Sequence, residues 1–187
     1  MKKGNTNTPT RNLILSGLFA ALLALLAQIS SPLPFSPVPV TGQMFGIFLA
    51  GALLGGRWGA ISILVYVLLG ATGFPVFHHG QGGLHIILGP TGGYLWGFVL
   101  GGYLLGKVVE EKCGLGNLIA GMILCLIATY TLGILQLVLL TGLHFKAALL
   151  AGVIPFIIPD IIKVVAASVL SRAVKNRLFK AGLLPAP

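Results

Sequence analysis

Apolar residues in this chain run on in stretches of near-spanning length, broken by short segments rich in glycine, proline or charge. Six stretches stand out: about Leu13 to Ile29, Met44 to Gly55, Trp58 to Gly73, Gly93 to Val108, Leu118 to Leu140 and Leu149 to Leu170. A bilayer core of about 30 Å takes about 20 helical residues to cross. A helix apolar on every face belongs in lipid or in a protein interior. The pattern therefore predicts six transmembrane helices. The second stretch is about a dozen residues long, a length that fits a re-entrant piece unless the extended Val38 to Val40 lengthens it.

Composition sharpens this into a class. Of 187 residues, 56% are hydrophobic and 8% charged, against about 25% charged in an ordinary soluble domain, and the mean hydropathy is +1.00. We read an all-α integral membrane protein with one transmembrane domain over residues 1–187. Its 27 glycines are neither periodic nor mixed with serine, which suits close helix packing rather than a linker. Cys113 and Cys125 are too few and too far from other ligands for a disulfide framework or a zinc site. The first stretch follows Lys2, Lys3 and Arg11 as a signal peptide would, but Ser30-Ser31-Pro32-Leu33-Pro34 offers no small-x-small cleavage site, so a retained helix is expected.

A net charge of +9 could suggest nucleic acid, and its distribution argues otherwise. Lys2, Lys3 and Arg11 precede helix 1, Arg57 separates helices 2 and 3, Lys107 and Lys112 separate 4 and 5, and Arg172, Lys175, Arg177 and Lys180 follow helix 6. With six spans all of these share one side, and Lys146 lies on the other. The positive-inside rule then puts both termini in the cytoplasm, with the basic surface against anionic lipid.

Three outer connections remain, Ser30 to Gln43, Phe74 to Gly92 and Thr141 to Ala148, and the first two contain no Lys, Arg, Asp or Glu. Four prolines in the first forbid helix and favour an extended path. The second carries His78-His79-Gly80-Gln81-Gly82-Gly83 and Gly89-Pro90-Thr91-Gly92-Gly93-Tyr94. Long, uncharged, glycine-rich connections are expected to fold back as a lid over a cavity, letting backbone amides approach a ligand.

Asp160 is the acidic residue that stands inside an apolar stretch, three positions before Lys163 in Ile157-Ile158-Pro159-Asp160-Ile161-Ile162-Lys163. Either charge at the centre of a spanning helix costs about 2.5 to 3.5 kcal/mol on insertion scales, so such residues turn toward the bundle interior, a partner or a ligand. Spacing of three puts both on one helix face. They are either a self-neutralising structural pair or the polar heart of a binding site.

Other chemistries are excluded by what is missing. His78, His79 and His85 have no accompanying carboxylate or cysteine and lack helical ligand spacing, so no metal is expected. Gly101-Gly102-Tyr103-Leu104-Leu105-Gly106-Lys107-Val108 resembles a phosphate-binding loop, but Val108 replaces the magnesium-binding hydroxyl and no strand-loop-helix surrounds it. The chain is not expected to hydrolyse ATP. Gly93, Gly97 and Gly101, every fourth residue, make better sense as a stripe admitting another helix. Ser62, Ser168 and Ser171 lack a helical His partner, which argues against an embedded enzyme. A stand-alone secondary transporter would commonly show repeated broken helices, and none is evident.

Pro75-Val76-Phe77, the Gly-x-Gly-Gly run Gly80 to Gly83, Gly89-Pro90-Thr91-Gly92-Gly93-Tyr94 and Pro159-Asp160-x-x-Lys163, in that order and with Val38-Pro39-Val40 upstream, resemble the BioY family of biotin-specific capture (S) subunits of energy-coupling-factor (ECF) transporters. The resemblance implies a bacterial cytoplasmic-membrane protein that binds biotin from outside and works with a transmembrane coupling protein and two cytoplasmic ATPases, without a cofactor of its own. Capture of a different small vitamin and transport without partners are the alternatives. The resemblance places substrate contacts at Asp160, Lys163 and Gln81; the apolar rings and tail of biotin then make Tyr94, Phe74, Phe77 and Trp96 candidate walls, and Gln43 and Thr41 are further candidate contacts. Some relatives carry Arg just after the Gly-Gly-Tyr, where this chain has Leu95. In helix 1, Ala20 and Ala24 resemble the small-residue motif by which capture subunits dock the coupling protein.

Overall fold

A computed structural model describes residues 9–111 and 114–181; Lys2, Lys3, Lys112 and Cys113 lie outside them. The chain begins with α1 (Pro9–Gln28) and turns into an antiparallel hairpin, β1 (Ser30–Leu33) and β2 (Ser36–Thr41). Then follow α2 (Gln43–Ala71), a single 3-10 turn (His78–Gly80), the short α3 (Leu84–Ile87), α4 (Gly92–Glu111), α5 (Leu115–Thr141), α6 (Phe145–Gly152) and α7 (Ile154–Lys180). Pro9–Gln28, Gln43–Ala71 and Leu115–Thr141, and the run Phe145–Lys180 across the break between α6 and α7, are long and apolar enough to cross a membrane. Their outer faces are leucine- and isoleucine-rich, with Ile14, Leu25, Leu139, Ile158 and Val169 exposed.

The expected second and third helices form one hydrogen-bonded run with a reversal inside it. Gly55 has φ 81° and ψ −179°, a conformation an L side chain strongly resists. Beyond it the chain folds back, for a Cβ placed on Gly59 would stand 3.0 Å from both the Ala50 carbonyl oxygen and the Gly51 Cα. In a straight helix, residues eight or nine apart lie about 12 Å or more from each other. Segments 43–54 and 56–71 are thus an antiparallel pair, and the first is about 18 Å long at 1.5 Å per residue. The extended β2 leads into it. Glu110 Oε1 accepts from Gly56 N at 2.9 Å, supplying a carboxylate where the second segment begins.

The hairpin is an addition to the all-helical expectation. The proline-rich segment is extended, as its composition predicts, and pairs with itself, slipping register between Ser31 and Leu33 where Pro32 cannot donate to the ladder. Ser36 Oγ donates to the Ala151 carbonyl at 2.7 Å and fastens the hairpin to α6.

α4 lies between α2 and α5, and its glycines set the spacing. Cβ atoms at Gly93, Gly97 and Gly101 would stand 2.2, 2.6 and 2.7 Å from atoms of Leu132, Thr129 and Cys125 in turn. The four-residue stripe is therefore the seat of α5, with dispersion contacts over its whole length. The resemblance to a phosphate loop disappears here, since residues 101 to 108 are ordinary helix and Gly106 packs on Gly56.

The last predicted helix starts later than expected. Val153 (φ −130°, ψ −55°) breaks the run and Pro155 stands in the first turn of α7, a position that needs no N–H. Pro159 inside α7 removes the bond that would have reached back to the Pro155 carbonyl.

A cavity beneath the outer connections

The outer ends of α2, α4, α5 and α7 surround a half-open cavity to which the first two outer connections contribute wall residues. Val38 and Pro39 from β2, and Phe77, His78, Ile86 and Thr91 from the 72–91 segment, join Met44, Leu95, Phe98 and Phe156 in its wall. The lid is held down by physical contacts. Phe77, 1% exposed, drops its ring into the notch left by Gly70, where a Cβ would come within 2.0 Å of it, and meets the Tyr66 ring edge-on at 5.6 Å. Burying such a side chain contributes about 1.5 to 3 kcal/mol. Gln28, the last residue of α1, grips the same loop with both ends of its amide: Nε2 donates to the Phe77 carbonyl at 3.0 Å, and Oε1 accepts from Gly80 N at 2.9 Å.

The polar part of the wall centres on Asp160, 4% exposed. Lys163 Nζ donates to its Oδ1 at 2.7 Å, the i,i+3 contact that the spacing predicts, and the Tyr130 hydroxyl on α5 donates to Oδ2 at 2.7 Å. A carboxylate offers about four lone-pair positions, so two remain for a ligand. On the facing side Thr41 Oγ1 donates to Gln43 Oε1 at 2.9 Å, and Gln43 Nε2 donates to the Tyr66 hydroxyl. Tyr94 presents its ring to the cavity while its hydroxyl donates to the Gly152 carbonyl at 2.8 Å, bracing α4 against the end of α6.

Asp160, Lys163, Tyr94, Gln43 and Thr41 are therefore brought to one cavity from four elements and a loop, together with Phe77. Gln81 is not among its lining residues. Its side chain is exposed, and its backbone closes the turn by accepting from Phe77 N at 2.9 Å and donating to the His78 carbonyl. Phe74 is also exposed, and Trp96 lies in an outer groove among Leu88, Leu132, Leu135 and Leu139. Ala20, at 2% exposure, is part of the subunit's own core, with Ala24 packed against it.

Tyr130, Thr129 and His78 are wall residues that sequence reasoning passed over. Thr129 Oγ1 and His78 Nδ1 are buried without a hydrogen-bond partner. The signal for Thr129 and Tyr130 is their place as adjacent polar groups in the middle of an apolar span, and that for His78 is a titratable side chain in an otherwise uncharged connection. Among the described residues no cluster of three or more potential metal ligands forms.

A family model described as the BioY family matches residues 1–180. A Thermotoga maritima protein named biotin transporter BioY is 40% identical over 167 residues, covering 89% of this chain and 96% of that one. A Rhizobium etli biotin transporter BioY is 41% identical over 177 residues, covering 88% and 93%. Among solved structures, the S-component for biotin from an ECF-type ABC transporter superposes with a TM-score of 0.83 at 26% identity, over 89% of this chain and 92% of that one. Fold, apolar spans and sequence agree: this chain is a multi-pass membrane protein that belongs to the BioY family.

Proposed function

We propose that this chain captures biotin in the cavity at the outer end of α7 and serves as the substrate-specific subunit of an ECF-type transporter. The observation that carries the reading is the Asp160, Lys163 and Tyr130 cluster, set in an otherwise largely apolar wall beneath a fastened lid. Biotin has two ureido N–H donors, a ureido oxygen, an apolar sulfur ring and an aliphatic tail ending in a carboxylate. Asp160 can accept the ureido N–H groups on its two remaining lone pairs, and Lys163 can donate to the ureido oxygen. Charge assistance strengthens both, and the low dielectric penalises any analogue that leaves them unpaired. Phe77, Tyr94, Phe98 and Phe156 supply the apolar enclosure typical of small-molecule sites. Gln43 and Thr41 bond to each other, and Gln43 retains one N–H for the ligand.

Energy for translocation comes from partners in this reading, a membrane coupling protein and two cytoplasmic ATPases. The experiment is uptake of labelled biotin by cells that cannot synthesise it, expressing the chain alone or together with those partners. Accumulation that depends on the ATPases supports the capture role. Equal accumulation without them would assign stand-alone transport instead, and none in either would contradict the proposal.

A further inference from the structure

The charge balance of the cavity calls for a contact that the pair on α7 does not supply. Among the described residues lining it, Asp160, Lys163 and His78 are those able to carry charge near neutral pH. Asp160 and Lys163 already offset each other at 2.7 Å. A ligand bearing a carboxylate would leave a net negative charge against a mostly apolar wall, which is costly unless a donor or cation meets it.

His78 is the wall residue left to meet it. Its Nδ1 is buried and unpartnered within the protein, whereas buried polar atoms are normally paired, and the residue is part of the cavity wall. Its neighbours His79, Gly80 and Gln81 are exposed, so the residue stands at the mouth. Nearby polar groups are otherwise engaged: His79 Nδ1 lies 3.4 Å from Ser30 Oγ, and Gln28 holds the loop backbone. The titratable groups around His78 are His79 on its own turn and, across the cavity, Tyr94 on α4, Tyr130 on α5, and Asp160 and Lys163 on α7.

We propose that His78 receives the ligand's tail carboxylate on a protonated Nδ1, while Asp160, Lys163 and Tyr130 hold the polar ring at the deeper end. This rests on the biotin reading and orients the ligand within it. Burial first, and His79 second, hold the His78 imidazole below its usual range, so the free protein carries it neutral near pH 7. A carboxylate at Nδ1 favours the charged form, so binding takes up a proton. Affinity for the anion is then greatest at low pH and is lost as pH rises through the pKa of the complex.

The test is equilibrium binding of biotin and of its primary amide, which keeps the rings and tail but carries no charge, to the purified chain between about pH 5.5 and 8. Wild-type affinity for biotin is expected to rise as pH falls, with that for the amide flat. His78→Phe is expected to weaken biotin about tenfold at the acid end and leave the amide unchanged. His78→Asn, which keeps a donor but cannot titrate, should recover part of the preference without the pH slope. Equal losses for both ligands in His78→Phe, a wild-type slope persisting in it, or unchanged biotin affinity would overturn the contact, the last outcome leaving the carboxylate to Lys163. If the wild-type chain binds neither ligand at any pH, the biotin reading and the contact fall together.

Discussion

The Tyr130 hydroxyl donates to Asp160 Oδ2 at 2.7 Å, so a carboxylate inside the bundle is held from two helices, by Tyr130 on α5 and Lys163 on α7. Tyr130→Phe leaves that oxygen without its donor at a cost of about 1 to 3 kcal/mol. We expect a folded, monodisperse protein with biotin affinity lowered about tenfold. Titration of the variant with biotin checks this, and an affinity equal to wild type would reduce the hydroxyl to a packing role.

Gly70 gives the lid its anchorage. An added methyl would enter the space of the Phe77 ring, with backbone on one side and Tyr66 on the other, so Gly70→Ala should lift the 74–83 loop while α2 continues as helix. Faster hydrogen exchange at Gln81 and Gly83, whose amides bond to His78 and Gly70 carbonyls in the closed loop, is the expected result. Biotin dissociation should quicken with it. Unaltered exchange would mean the loop is held by Gln28 alone.

Much of the fold was legible because bilayer physics leaves few options. Run length and charge sidedness gave the helices, and Lys107, Glu110 and Gly56 do meet at one end of the bundle while the hairpin, α6 and the cavity meet at the other. What failed was local. No apolar count could reveal that Gly55 reverses the chain within one hydrogen-bonded run, because that depends on a single backbone conformation. The hairpin was hidden by its prolines, which oppose strands in general and here leave a short, slipped ladder. Asp160 and Lys163 were legible from the cost of charge in an apolar span. Tyr130 stands out as a polar group within an apolar span, but its pairing with Asp160 comes from the rotation of α5 against α7, and the outward side chain of Gln81 could not be read from spacing because a loop's side-chain directions do not follow from it.

Rotation also decides the fate of the small residues in α1. Ala20→Trp would overfill the core that Leu23 and Ala27 share, so loss of stability and of biotin binding together is expected, and it cannot report on docking to a coupling protein. Gly17 has open space around its Cα and Ala21 is exposed. Gly17→Trp should therefore fold and bind biotin normally, which thermal unfolding and ligand titration check. Its co-purification with the coupling protein then reports on the outward face of α1 alone.

The most direct test of the central claim is equilibrium biotin binding to the purified chain beside Asp160→Asn and Lys163→Met, each confirmed folded. Both variants break a buried hydrogen-bonded ion pair, and we expect at least a hundredfold loss of affinity, about 3 kcal/mol or more, in each. Tight wild-type binding lost in both variants is the predicted result. Wild-type affinity retained by either folded variant would make the pair a structural one and would remove the site from α7.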